Sequence, residues 1–285
     1  MLDEHKIVYK WWSSDKIKIR KYMLKKIDIQ KINFIAKKAG DEIIKIYQQD
    51  FEVDYKKDNS PLTKADIKSN DMIIESLKDL YSEIPILSEE NKEVPYNIRG
   101  NWEYFWLIDP LDGTKEFVKK NGEFTVNIAL IHKDTPILGV IYAPVLEVLY
   151  YAQKEKGAYK QEKNGKPQRL PICREANNDT LKVIVSKSHY NQETKEFVNN
   201  LKNQYKKTIE FICIGSSLKF CLISEGKADL YPRLAPTMEW DTAAGQAIVE
   251  QVKGEIIEFN NQAPLKYNKK NLLNPWFITK ATNMQ

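Results

Sequence analysis

The stretch Tyr104-Phe105-Trp106-Leu107-Ile108-Asp109-Pro110-Leu111-Asp112-Gly113-Thr114 constrains the fold more than any other part of the chain. Five consecutive aromatic and aliphatic residues, Tyr104 to Ile108, predict a buried β-strand that stops at Asp109. The strand thus delivers a carboxylate to its end. Pro110 forces extended geometry, and Gly113 allows a sharp turn. Asp109 and Asp112, three residues apart, can then converge with a main-chain carbonyl between them. An oxygen-only set of this kind suits a hard cation such as Mg²⁺, not zinc. An ordinary Asp-Gly turn after a strand is the competing explanation.

Three other segments bear on that choice. Ser88-Glu89-Glu90-Asn91 follows a short apolar run, Ile84 to Leu87, and offers a carboxylate at a strand end; alone it reads as a solvated acidic loop. Trp240-Asp241-Thr242-Ala243-Ala244-Gly245 places an aspartate at a helix start, where aspartates commonly serve as N-caps. In Thr63-Lys64-Ala65-Asp66, Thr63 can cap a helix and Asp66 can sit in its positively polarised first turn. Local structure accounts for each segment singly; their joint order and spacing is what is specific.

Around these segments the pattern alternates. From Asp28 apolar residues recur at three- and four-residue steps (Ile32, Ile35, Ala36, Ala39, Ile43, Ile46, Tyr47), which predicts a helix. A second helix begins at Thr63, with Ile67, Ile74, Leu77 and Tyr81 on its apolar face. Strands are expected at 124–131, 137–142 and 149–152, and Gly, Lys and Pro residues from Gly157 to Pro167 mark a hinge. Beyond it come strands at 183–185, 209–214 and 228–231 and helices at 192–201, 218–224 and 241–252, the last ended by Gly254. Strand–helix alternation in the second half argues an α/β lobe behind a meander-rich α+β lobe. The expected division is an N-terminal extension, 1–22, followed by lobes at about 23–165 and 166–285.

Charge and cysteine usage narrow the function classes. Forty-four Lys and Arg against 39 Asp and Glu give +5, enough to attract anionic substrates but weak support for nucleic-acid binding. Cys173, Cys213 and Cys221 are odd in number and unpaired by spacing, so they read as free thiols, with Cys213 and Cys221 packed in the interior. No apolar run is long enough to span a bilayer and no secretory signal stands at Met1, so a cytoplasmic protein is expected. Residues 1–22, with Trp11, Trp12 and the basic stretch from Lys16 to Lys21, read as a flexible or loosely docked extension, with a partner or membrane-surface contact as the alternative.

At this point the sequence closely resembles the inositol monophosphatase superfamily, and within it the CysQ-type 3'(2'),5'-bisphosphate nucleotidases. The resemblance is carried by 58–66, 87–90, Trp106 to Phe117, 121–130, Ile214-Gly215-Ser216-Ser217-Leu218-Lys219-Phe220-Cys221 and Glu239 to Gly245. It runs from about Met23 to Asn274. The Asp-Pro-Leu-Asp-Gly-Thr core marks the superfamily, while Lys115-Glu116-Phe117 and 215–219 are typical of the CysQ branch.

The resemblance implies a two-lobed αβαβα layered sandwich. It implies one Mg²⁺ held by Glu89, Asp109 and the Leu111 carbonyl, a second held by Asp109, Asp112 and Asp241, and a third, weaker ion at Glu89. Gly113 and Thr114 would offer backbone N–H groups to the phosphate, and Asp241 would also meet the substrate. Asp66 and Thr114 would form the pair that deprotonates the attacking water. Four carboxylates in one pocket raise one another's pKa, and divalent cations remove that penalty. His5, His132 and His189 lie outside the motifs, as expected of chemistry that needs no imidazole base. The implied reaction is hydrolysis of adenosine 3',5'-bisphosphate to AMP and phosphate in sulfur assimilation, with lithium inhibition. The uncut phosphate needs cationic or N–H partners, which Lys219 and the Gly215-Ser216-Ser217 turn ahead of a helix can supply. The rivals are an inositol monophosphatase or sugar bisphosphatase on the same metal core, and a non-catalytic nucleotide sensor or RNA-associated protein.

Overall fold

The strand β4 (Tyr104–Asp112) does not stop at Asp109 but carries on through Asp112. Its partner β5 (Thr125–His132) runs antiparallel, with Asp109 opposite Asn127 and Asp112 opposite Thr125. Three steps on β4 thus match two on β5, which is a β-bulge. In a regular strand residues three apart point to opposite faces. The extra bulge residue cancels that inversion and turns both aspartates towards one side. The computed structural model describes residues 24, 26–56, 61–91, 94–172, 179–186 and 191–284. The extension 1–22, the segment 58–60, Cys173, His5 and His189 lie outside the described residues.

Around β4 forms a seven-stranded sheet in the order β3-β4-β5-β6-β7-β8-β9. Its further members are β3 (Ile86–Ser88), β6 (Thr135–Ala143), β7 (Val148–Gln153), β8 (Gly157–Glu162) and β9 (Gln168–Arg169). Two helices, α1 (Ile29–Tyr47) and α2 (Lys64–Leu80), cover one face. Ile32, Ile35, Ala39 and Ile43 of α1 pack there with the alternate strand residues Trp106, Ile108, Ile128, Leu130 and Val140. A two-stranded ladder of β1 (Val53–Tyr55) and β2 (Pro61–Thr63) leads into α2.

The opposite face carries Phe105, Leu107, Ala129, Ile131 and Ile141, packed against α6 (Leu218–Glu225) and α7 (Glu239–Gln251). Behind these helices lies a five-stranded sheet, β11-β10-β12-β14-β13. It comprises β10 (Thr180–Val185), β11 (Thr208–Cys213), β12 (Leu230–Arg233), β13 (Glu255–Glu258) and β14 (Phe277–Lys280). Its far side buries Val198 and Leu201 of α5 (Gln192–Tyr205) against Leu181, Val183 and Val185. The layers run αβαβα, as the sequence led us to expect. Two short helices, α3 (Tyr96–Arg99) and α4 (Thr114–Val118), flank β4. Among the described residues no helix is long and apolar enough to cross a membrane.

One close approach sets the depth of α7. Gly139 of β6 pairs with Ala129 on one side and Ala152 on the other. A Cβ on Gly139 would stand 2.4 Å from the Ala244 carbonyl oxygen of α7. This row of small residues lets the helix lie directly on the sheet, and its first turn carries Asp241.

Several local expectations are corrected. Ile67 is 39% exposed and Ile74 half-buried; α2 instead buries Ala65, Asp66, Ser69, Asn70, Ile73 and Leu77. Its N-terminal half faces polar partners, with Ser69 donating to the Pro110 carbonyl and Ser88 donating to Asn70. The expected hinge at 157–167 begins with the strand β8, because its residues pair along the whole of β7. Helix α7 starts at Glu239 rather than Asp241. Cys221 is buried, but Cys213 is exposed, since β11 is an edge strand largely exposed along its length. The strands β13 and β14 close the second sheet without a strong pattern of their own.

Candidate active site

Three chain segments meet at one place. The strand β3 stops at Ser88, so Glu89 emerges beside β4, its N–H bonded to the Ile108 carbonyl. The bulge of β4 presents Asp109, and the first turn of α7 presents Asp241. One carboxylate oxygen from each of Glu89, Asp109 and Asp241 lies within 4.8 Å of the others. Asp109 accepts a hydrogen bond from the Leu111 N–H at 3.1 Å, and Asp241 accepts one from the Met238 N–H at 2.9 Å.

Such crowding disfavours charge. Burial pushes the Asp109 carboxyl well above the ordinary aspartate range, and Glu89 and Asp112 add repulsion. Burial does the same to Asp241, reinforced by Asp112 and Glu89. Glu89 is raised by burial despite the opposing ammonium of Lys56. That ammonium sits 2.7 Å from Glu89 and 2.6 Å from Glu90. Burial opposes its charge, yet the two glutamates outweigh burial and raise its pKa above the usual lysine value.

Asp112 is near but differently engaged. Its Oδ2 accepts from the Ser217 N–H at 2.6 Å, from the Ser216 hydroxyl at 2.8 Å and from the Asn127 amide at 3.4 Å. It is not one of the three carboxylates of the tight cluster. The Leu111 carbonyl lies beside it in the chain and accepts a long contact from the Thr114 hydroxyl at 3.4 Å.

Asp66 and Thr114 do meet: the Thr114 hydroxyl donates to Asp66 Oδ1 at 3.2 Å. The other oxygen, Oδ2, accepts from both the N–H and the hydroxyl of Thr63 at 2.7 Å. Thr63 is the N-cap of α2 and Asp66 its third residue, so this is a capping box. Burial raises the Asp66 pKa, and the bonds from Thr63 hold back part of that rise. Thr114 opens α4 behind Gly113, whose φ of 94° is left-handed and suits glycine.

The carboxylate cluster and Thr114 border a cavity of about 440 Å³. Glu89, Asp109, Leu111, Asp112, Gly113, Thr114 and Asp241 form one wall; Gly215, Ser216, Ser217 and Lys219 form another. The N–H of Gly215 is bonded to Glu123 at 2.8 Å and that of Ser217 to Asp112, so neither amide points to an open acceptor. Lys219 is buried, with its ammonium 5.7 Å from the Tyr231 ring centroid. Burial, helped by the Arg233 charge, lowers its pKa to about 8 against the pull of Asp112. Arg233, at the end of β12, is also buried, donates to the Pro236 carbonyl at 2.8 Å, and leaves its Nε without a partner.

Lys56, Glu123 and Arg233 are the site residues that sequence reasoning missed. Lys56 opens the polar stretch Lys56-Lys57-Asp58-Asn59 between the first two helices, which carries no pattern of its own. Arg233 was legible in principle, because Tyr231-Pro232-Arg233 continues the strand expected at 228–231, so its cation comes at a strand end. His132 stands at the end of β5 beside Glu103 at 3.6 Å, away from the cavity wall.

The donor set fits a hard divalent cation. It is all oxygen and gathered around the buried Asp109, and burial with mutual repulsion raises the Asp109 and Asp241 pKa values, a penalty on the charged forms that a divalent cation would remove. Glu89, Asp109 and Asp241 would hold such an ion, with the Leu111 carbonyl and Asp112 adjoining.

Comparison with known proteins extends these observations. The sequence matches the inositol monophosphatase family over residues 24–282. It is 43% identical over 251 residues to the 3'(2'),5'-bisphosphate nucleotidase CysQ of Salmonella typhimurium, covering 87% of this chain and 98% of that one. The Escherichia coli K12 protein of the same name is 44% identical over 246 residues, covering 85% and 95%. The crystal structure of CysQ from Bacteroides thetaiotaomicron superposes with a TM-score of 0.77 at 45% identity, over 87% of this chain and 94% of that one. A Thermotoga maritima IMPase shares the fold, with a TM-score of 0.72 at 22% identity over 89% and 92%.

Proposed function

Because this chain belongs to the inositol monophosphatase family, we propose that it is a 3'(2'),5'-bisphosphate nucleotidase that hydrolyses adenosine 3',5'-bisphosphate to AMP and phosphate. The observation that carries the substrate choice is the pair Lys219 and Arg233. Two buried cations share one cavity with the reacting carboxylates, and each feels the other's charge. An inositol monophosphate brings one phosphate, which belongs beside the carboxylate cluster; a sugar bisphosphate brings two, and against it the names of the relatives weigh. A bisphosphate brings a second anion that relieves the two cations, and charge-assisted bonds to phosphate are the strong kind. The Salmonella typhimurium and Escherichia coli relatives, matched over nearly their whole length, bear the nucleotidase name.

The chemistry follows from the chain's own groups. A bound divalent cation, which we read as Mg²⁺ with two or three ions per site, offsets the carboxylate repulsion and stabilises charge on the phosphoryl oxygens. Asp66 is the proton acceptor: its Oδ2 is fixed by Thr63, and its Oδ1 is aimed at Thr114. A water at Thr114 gives its proton through that hydroxyl to Asp66 while its oxygen bonds to phosphorus. The ester P–O bond breaks on the far side, and the ribose oxygen leaves with a proton from solvent. Asp241, set by the Met238 N–H, borders the leaving side of the cavity.

The test is phosphate release from adenosine 3',5'-bisphosphate, inositol 1-phosphate and fructose 1,6-bisphosphate, with Mg²⁺ and then with chelator. Preference for the nucleotide, lost on chelation, is the expected result. Preference for inositol or sugar phosphate would keep the metal site and discard the substrate. Release from none of them would favour a nucleotide sensor.

A further inference from the structure

The cavity has an apolar rim that the chemistry above does not use. Leu273 lines it and is 42% exposed, while the preceding Leu272 is buried in the core. Leu273 forms an isolated antiparallel bridge with Met238, a half-buried neighbour on the same cavity wall. Leu273 and Met238 thus give the cavity an apolar edge beside Asp241.

The rim is also held rigidly. Asn274 is buried, and its side-chain amide donates to the Met238 carbonyl at 2.7 Å and to the Thr242 hydroxyl at 3.1 Å. Its own N–H donates to the Thr237 carbonyl at 2.8 Å, and the Glu239 N–H donates to the Leu272 carbonyl at 3.0 Å. Four hydrogen bonds thus clamp the 272–274 segment onto the turn that leads into α7. Met238, in that turn, is tied by its N–H to Asp241. An exposed leucine fixed in this way to a carboxylate of the reacting cluster forms a shelf, not a loose surface side chain.

We propose that Leu273 and Met238 form the platform on which the nucleobase of the substrate lies. This rests on the nucleotidase reading given above. A planar heteroaromatic ring has a large apolar face and offers little else to a leucine and a methionine, whereas an inositol ring is covered in hydroxyls and gains nothing from them. The platform therefore selects for the base, as Lys219 and Arg233 select for the second phosphate.

The experiment compares wild type with Leu273→Ala and Leu273→Ser on two substrates, adenosine 3',5'-bisphosphate and its base-free analogue 1-deoxyribose 3,5-bisphosphate. Loss of one apolar contact in a substrate pocket should lower kcat/KM for the nucleotide about tenfold, carried by KM. The base-free analogue should be turned over equally by all three proteins. In NMR spectra of the AMP-saturated enzyme, the adenine H2 and H8 protons should show cross-relaxation to the Leu273 methyls. Equal losses on both substrates, no loss on either, or cross-relaxation to Ile214 instead would overturn the platform. A wild-type enzyme that prefers inositol 1-phosphate overturns the substrate reading and the platform together; that result is read before any variant is made.

Discussion

Gly139→Ala tests how the fold sets the active site. The new Cβ would stand 2.4 Å from the Ala244 carbonyl oxygen and 2.8 Å from the Ala247 Cβ. The first obstacle is helix backbone, which cannot rotate away. Restoring an ordinary contact requires α7 to rise from the sheet by about 1 Å, and a close-packed interior resists that. Overpacking of this kind costs about 1–3 kcal/mol, or roughly 2–5 °C in melting temperature for a chain of this size. The same lift displaces Asp241, and a misplacement of about 1 Å costs on the order of 10²-fold in rate. Calorimetry and steady-state turnover with saturating Mg²⁺ measure both effects. Adding Ala247→Gly should not rescue the variant, because the Ala244 carbonyl stays in place and a mid-helix glycine costs about 1 kcal/mol more. A Gly139→Ala protein that melts and turns over like wild type would refute the claim that this contact seats the helix.

Three further outcomes are expected. Asp66→Asn should lower kcat by roughly 10²–10⁴-fold with little change in KM, as loss of a proton acceptor does; unchanged turnover in steady-state assays would return Asp66 to helix capping alone. Lys219 loses its proton near pH 8, so KM for the bisphosphate should rise above that pH in wild type and stay level in Lys219→Arg, whose charge persists; parallel KM profiles would contradict the phosphate role. In chelated protein, Asp109 and Asp241 have folded pKa values above their unfolded ones. Their protonated forms therefore favour the fold, and that contribution is full below about pH 4 and lost as pH rises. Melting temperature in chelator should fall from pH 5 to 8, less so in Asp109→Asn, and Mg²⁺ should flatten the slope; a melting temperature that rises with pH in chelator would reverse the argument.

Two of the carboxylates stand out in the sequence because an apolar run stops abruptly just before each of them. Glu89 follows Ile84–Leu87, and Asp109 follows Tyr104–Ile108. Groups that meet only through tertiary pairing were less legible. Lys56 reaches Glu89 and Glu90 from 33 and 34 residues away, and no periodicity records that. The bulge that turns Asp109 and Asp112 to one side is a register property of two strands, invisible in either alone. The exposed Ile67 has the same origin: the buried stripe of α2 is polar where it meets Pro110, Ser88 and Asn91, so the apolar pattern pointed elsewhere.

Helix capping and the proposed catalytic roles are compatible for these two aspartates. Asp66 is the third residue of α2 and Asp241 the third residue of α7, and each accepts the N–H of the residue three before it. A carboxylate held this way loses rotational freedom through one oxygen and keeps the other for chemistry. In Asp66 that second oxygen meets Thr114; in Asp241 the carboxylate joins Glu89 and Asp109. The helix start supplies the positional fixity that a reacting carboxylate needs, at no further entropic cost when substrate arrives. A capping motif ahead of an apolar helix is therefore no argument against function when its acid also faces a cavity.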